Sequence, residues 1–392
     1  MRILLCSLAS YGFLYPSIGV ALKLINRGHS VAFATDSSVG TILGDFGLER
    51  IPRGLHDGSS FQTGFWAYPE SIAIQARHIE WAIRVFRPDV VLGHHLTLGP
   101  LIVRDLYRLP TVLMGSLAYL WPACGGDKEN AALERHRQWR YQDILAKYSK
   151  ARSWFGLSTC AGDMELLNGD MFLLRNVPSL CGAKDLPKTV QFAGACLWEP
   201  SADDAELSAW IGIQNAQNRQ IVYIQQGRFF GNQHFWSAAI SAAAECGFSI
   251  AASTGAMDCD VGCIPAGSYI RPHVFQGRVL ANAAALICSA NATAAIGACA
   301  AGVPCLLVPC GGEQPDVAWL CERNGIGHIC KPSEATIPRI RSELEDITNN
   351  VQRKANARAV AEAFSAFESG TIVPELLESV VSDHSSICNV SR

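Results

Sequence analysis

The feature that most constrains this chain is a pattern that occurs twice: a short unbroken apolar run, a helix-period segment closed by glycine, and a second apolar run. In the first half it reads "RILLCSL" (2–8), then Ile18, Leu22 and Ile25 at helical spacing up to Gly28, then "VAFAT" (31–35). In the second half it reads "QIVYIQQG", then "FWSAAISAAAECG" ended by Gly247, then "SIAAST". Apolar runs without alternation suit strands buried on both faces. Strand, crossover helix and strand at this length form a βαβ unit, and such units build parallel sheets. Each half continues the pattern, with "DVVLG" (89–93), "LTLGPLIVRDLYRL" and "TVLMGS" (111–116) in the first, and "ALICSA", "AAIGACAAG" and "PCLLVPC" in the second. The expected fold is therefore α/β, with two Rossmann-like doubly wound domains facing each other across a cleft.

The length agrees, since 392 residues exceed what one core usually supports. "VQFAGACLWEPSADDAEL" (190–207) reads as a last strand followed by a Pro, Ser and Asp linker. It divides a first domain, 1–200, from a second, 206–371. The polar, Trp-bearing region around 118–160 is expected to be helical and to pack beside the first sheet.

Apolar residues at 49% and charged residues at 17% exclude disorder. A net charge of −3 with no basic stripe argues against a nucleic-acid partner. The fifteen cysteines contain no C-x-x-C pair, and Cys259 and Cys263, the nearest two, lack a matching second pair for zinc. They read as reduced, buried thiols of a cytoplasmic protein. The N-terminus carries one positive charge, with Tyr and Pro where a signal peptide would stay apolar. No run reaches the ~18 apolar residues of a membrane span.

The most informative stretch is "CSANATAAIGACAAGVPCLLVPCGGEQPDVAWLCERNGIG" (288–327). Between its strand and helix lie Ser289, Ala290, Asn291, Ala292 and Thr293. Small residues there either let backbone N–H groups at a helix N-terminus meet a phosphate, or simply allow helix and strand to pack closely. The run Gly302-Val303-Pro304, Pro309, Glu313-Gln314-Pro315, with Gly325 and Gly327, resembles the nucleotide-sugar-dependent glycosyltransferases of the GT-B fold. The likeness is to the bacterial natural-product branch related to the UDP-glucosyl and glucuronosyl transferases.

That resemblance implies a UDP- or TDP-sugar donor held by the second domain and a small hydrophobic acceptor held by the first. It implies no cofactor and no metal, and a C-terminal helix, 372–392, that returns to the first domain; a homodimer is left open. The family's diphosphate-contacting histidine falls on Ser289, and its two glycines on Ala290 and Asn291. Glu313 and Gln314 match the pair that binds donor-sugar hydroxyls, and Gln276 falls near the base. Gly227 fits the family's strand end, whereas Arg228 departs from it: this arginine either restores charge at the diphosphate or is an ordinary surface residue.

In the first domain the family's turn is G-H-x-x-P, and "GFLYP" keeps Gly12 and Pro16 but puts Phe13 at the position of the catalytic histidine. His94, at the position of the acidic residue that orients that histidine, is the expected relocated base, with His95 beside it. Two alternatives stand. Either the acceptor needs little base help, with Phe13 part of an apolar wall, or the chain is a noncatalytic partner. A sugar-nucleotide epimerase of the same fold is a further reading. Tyr11, Phe13, Phe65, Trp66, Tyr119 and Trp121 are the aromatic material for an acceptor pocket.

Overall fold

The structure is a computed structural model. It describes the chain except residues 54–58, 117–130, 160–166, 182–185, 201–203, 228–233, 256–260, 368 and 391–392, with the backbone alone at 369–370 and 385–390. The chain forms two compact units, residues 1–177, 183–198 and 367–392 in one and residues 178–182 and 199–366 in the other.

The first unit contains β1 (Arg2–Cys6), α1 (Tyr11–Asn26), β2 (Ser30–Ala34), α2 (Gly40–Asp45), β3 (Glu49–Arg50), α3 (Pro69–Phe86) and β4 (Val90–His94). It continues with α4 (Gly99–Tyr107), β5 (Thr111–Gly115), α5 (Ala131–Ser153) and β6 (Met171–Leu174). After a short α6 (Pro178–Cys181), which belongs to the other unit, comes β7 (Val190–Phe192). The sheet runs β3-β2-β1-β4-β5-β6-β7. Its pairings are parallel, with Ile3 opposite both Val31 and Val90. Strand order reverses direction between β1 and β4, so the carboxyl ends of these two strands frame the crevice where ligands enter such sheets.

The second unit contains α7 (Ala205–Ala216), β8 (Ile221–Gln225), α8 (Phe235–Glu245), β9 (Ser249–Ser253), β10 (Tyr269–Arg271), α9 (Gln276–Leu280) and β11 (Ala283–Cys288). Then follow α10 (Ala292–Ala301), β12 (Cys305–Leu307), α11 (Gln314–Arg323), β13 (Gly327–Ile329), α12 (Ile337–Asn349) and α13 (Val351–Ala366). Its parallel sheet runs β10-β9-β8-β11-β12-β13, and the switch point lies between β8 and β11. The chain ends with α14 (Ser369–Val390) in the first unit, where Glu378 meets Arg27 at 3.2 Å and His29 at 2.9 Å, just past the end of α1.

Both sheets owe their stability to strands enclosed on two faces. Leu4 and Leu5 of β1 and Ile224 and Ile287 of β8 and β11 have at most 1% of their surface exposed, and each such side chain contributes about 2 kcal/mol of burial. The helix α10 ends at Gly302, whose φ of +70° is the left-handed conformation that terminates helices. The "GVP" run is thus a helix stop followed by entry into β12.

Several sequence expectations change. The turn expected at Gly12–Pro16 is helical instead: α1 already begins at Tyr11, so Gly12, Phe13 and Pro16 all lie within it. Pro16 lies inside the helix, past its first turn, and has no N–H to donate to the Gly12 carbonyl. The buried face of α1 carries Leu14, Ile18, Ala21 and Leu24. Leu22 is only half-buried and Ile25 is 39% exposed, because from Ile18 the buried stripe continues through Ala21 and Leu24, one position before each of them. Strands β3, β6, β10 and β13 were not expected; at two to four residues each they are too short to show a period. In the 118–160 region, α5 is helical and lies against α3; residues 118–130 are outside the described part. The described cysteines are free, most of them buried, and Cys263 is exposed; Cys259 lies outside the described residues. Among the described residues no helix is long and apolar enough to cross a membrane.

Candidate active site

In the second unit the chain leaves β8 at Gln226 and Gly227 and leaves β11 at Ser289, so the two segments are neighbours at the switch point. The Gly227 N–H donates to the Ser289 Oγ at 2.9 Å. Gln314 Nε2 donates to the same oxygen at 3.3 Å, while Gln314 Oε1 accepts from the backbone N–H groups of Cys310 (2.8 Å) and Gly311 (3.2 Å). Ser289 is fully enclosed and Gln314 is 2% exposed. A hydroxyl that accepts twice keeps its own hydrogen to donate. A Cβ at 227 would lie 3.2 Å from Gln314 Nε2 and 3.3 Å from Ser289 Oγ, so a larger residue there pushes on both groups of the cluster.

The next residue, Ala290, has φ +61° and no exposed surface. Holding a non-glycine residue there costs on the order of 1 kcal/mol, a cost glycine would not carry. Asn291 is the extended N-cap of α10, yet its side chain does not cap the helix. Ala292 and Thr293 therefore begin a helix whose first N–H groups and partial positive charge favour an anion. Gln276 is 93% buried: its Nε2 donates to the Thr293 carbonyl at 3.3 Å and lies against Gly297 of α10. The Glu199 carboxylate receives the backbone N–H groups of Gln276 and Gly277 at 3.0 and 2.9 Å. Burial raises the Glu199 pKa, and these two hydrogen bonds oppose the rise.

Ser289, Gly227 and Gln314 are thus brought together, with Ala290 to Thr293 directly following and Glu313 at the N-cap of α11. Gln276 reaches the same region only through α10. Arg228 lies outside the described residues.

In the first unit the Phe13 ring, in the first turn of α1, packs on the His94 ring with centroids 4.5 Å apart. His94 ends β4 and in turn packs on His95 at 4.4 Å. The Leu96 N–H donates to His94 Nδ1 at 3.3 Å, and Thr97 Oγ1 donates to the His94 carbonyl at 2.6 Å. Burial, with His95 and Arg175 nearby, holds the His94 pKa well below its usual value. The His95 pKa is pushed down to about 3 by burial and Arg175, against an opposing hydrogen bond with the Met114 backbone. His94 is therefore neutral at pH 7. With Nδ1 accepting, its proton sits on Nε2, which makes that nitrogen a donor.

Tyr11 is 43% exposed and stacks on Tyr15 at 4.9 Å. Trp66 is half-buried in the segment before α3. That segment is tied to the start of α1, since the Ala9 N–H donates to the Phe61 carbonyl at 2.8 Å. Trp121 and Tyr119 lie outside the described residues.

Arg175, Glu199 and Gln75 carry no motif that marks them in the sequence. Gln75 donates to the Ser60 carbonyl at 2.6 Å and accepts from the Gly99 N–H at 3.1 Å, which fixes the Ser60–Phe61 turn to α4. Reading "MFLL" as a strand would have exposed Arg175, which stands one residue past its carboxyl end.

No family model matches the chain. A PGL/p-HBAD biosynthesis glycosyltransferase of Mycobacterium tuberculosis is 24% identical over 244 residues, 61% of this chain and 55% of that relative. The chain thus spans about half of its length. A PGL/p-HBAD biosynthesis rhamnosyltransferase of Mycobacterium bovis is 24% identical over 371 residues, 88% of this chain and 80% of the relative. Among solved structures, glycosyltransferase VinC in complex with DTDP superposes with a TM-score of 0.74 at 18% identity, covering 98% of this chain and all of that one. The chain therefore has the GT-B fold, and its relatives in sequence and structure are glycosyltransferases.

Proposed function

We propose that this protein transfers a sugar from a UDP- or TDP-sugar to a small hydrophobic acceptor, with the donor bound by the second unit and the acceptor by the first. The observation that carries the reading is the Gly227–Ser289–Gln314 cluster at the switch point of the second sheet, followed at once by the uncapped start of α10. Backbone N–H groups and a buried hydroxyl are what a diphosphate needs from a protein that offers no histidine there. Glu313, beside the cluster, is the acceptor group for donor-sugar hydroxyls. Gln314 positions Ser289 and the 310–311 turn. The glycosyltransferases similar to this chain, one of them bound to DTDP, support the same reaction class. His94 is the polar group set beside Phe13 where the acceptor would react.

A thermal-shift panel of UDP, TDP and their sugar conjugates tests the donor site. A ligand that binds the folded state raises the melting temperature by mass action, and no shift with any of them would overturn the reading.

A further inference from the structure

Arg175 is a buried cation of the first unit that this function has not yet used. It follows β6 directly, at the carboxyl edge of the sheet where β4 delivers His94, and its backbone N–H donates to the Gly115 carbonyl at the end of β5. Only 4% of the residue is exposed. Nε donates to the Ala195 carbonyl at 3.1 Å, while Nη2 is enclosed and has no hydrogen-bond partner among the described residues. Among the described residues no carboxylate forms an ion pair with it. A buried guanidinium without a counter-charge is costly, and a bound anion removes that cost.

The surroundings suit an anion and are poor at making one. His95 lies against Gly115, where a Cβ would fall 1.9 Å from its Nδ1, so the histidine pair and Arg175 share the carboxyl ends of β4 to β6. The charge of Arg175 bears on both imidazoles and, with their burial, keeps them neutral and weakly basic. His94 presents a donor at Nε2, and Phe13 offers no basic atom. An acceptor that arrives already ionised needs no base from these groups and meets a cation and a donor.

We propose that the acceptor is a carboxylic acid, bound as its carboxylate by the Arg175 Nη2 and the His94 Nε2–H, and that this carboxylate is the nucleophile. The proposal rests on the glycosyltransferase reading and names its acceptor class. A carboxylate oxygen forms the new bond to the anomeric carbon as the bond from that carbon to the diphosphate oxygen breaks. The bonding pair leaves with the nucleoside diphosphate, and the product is an acyl glycoside. No proton has to be removed, since an acid with a pKa of about 4 is ionised at pH 7, which accounts for a site that dispenses with the base at residue 13.

The test is calorimetric binding to the full chain of benzoate, 2-naphthoate and anthracene-2-carboxylate, each against its own carboxamide, at pH 7 with and without UDP or TDP. The expected result is that at least one carboxylate binds about tenfold or more tightly than its amide. Arg175→Gln should abolish the preference, Arg175→Lys should keep part of it, and nucleotide affinity should stay unchanged in both. Equal affinities of acid and amide in the unmutated protein, or no binding of any acid at millimolar concentration, would overturn the proposal even if neither variant folds. Failure of nucleotides to bind is a separate readout that strikes the donor reading instead.

Discussion

The Gly227 backbone N–H and the Ser289 hydroxyl are joined at 2.9 Å across the point where the second sheet reverses its strand order. This bond fixes two loops that leave adjacent parallel strands, and Gln314 ties the loop before α11 to the same oxygen. Under the proposed donor reading, nucleotide binding depends on the integrity of one buried hydroxyl.

Replacing that hydroxyl has two expected consequences. Ser289→Ala strands the Gly227 N–H and the Gln314 Nε2, a loss of about 1–3 kcal/mol in urea unfolding, and lowers UDP or TDP affinity measured by calorimetry. Gly227→Ala introduces a methyl 3.2 Å from Gln314 Nε2 and should also weaken nucleotide binding. Wild-type affinity in both variants would show that the nucleotide binds elsewhere.

The Glu199 carboxylate holds the N–H groups of Gln276 and Gly277 and thereby sets α9 against α10. Glu199→Ala should cost about 1–2 kcal/mol, as for the loss of a good helix cap, and reduce donor affinity through displacement of Gln276. Chemical denaturation paired with nucleotide titration separates the two effects.

The buried histidines make stability depend on pH. Both have folded-state pKa values below the ordinary 6.5, so the unfolded chain binds protons that the native state refuses. Their contribution is complete above pH 6.5 and is lost as pH falls from there, towards about 3 for His95. Between pH 7.5 and 5.5 each histidine should remove about 1.4 kcal/mol of unfolding free energy. His95→Gln should flatten the profile by one such increment in urea titrations at the two pH values.

Phe13→His returns an imidazole to the first turn of α1, at the place where the Phe13 ring now meets His94. Turnover of neutral hydroxyl acceptors should rise by about 10²-fold, the usual contribution of a positioned base, with nucleotide affinity unaltered. An unchanged rate with phenols and alcohols would show that residue 13 does not face the reacting oxygen.

The alternation of unbroken apolar runs with glycine-stopped helical segments determined the α/β class and the two doubly wound sheets, because burial on both faces leaves no other use for runs such as "ILLC" and "ALIC". The run from Gly302 to Gln314 likewise singled out the segment whose Gln314 the fold joins to Ser289. Strands of two to four residues were not legible, since so short a segment has no period, and with β6 went the position of Arg175. Only the tertiary structure decided that Gln314 spends its amide on Ser289 and the 310–311 turn, that Gln276 faces α10, and that His94 is a neutral donor. Those properties arise from burial and from hydrogen bonds between groups distant in the chain, which residue type and spacing alone do not carry.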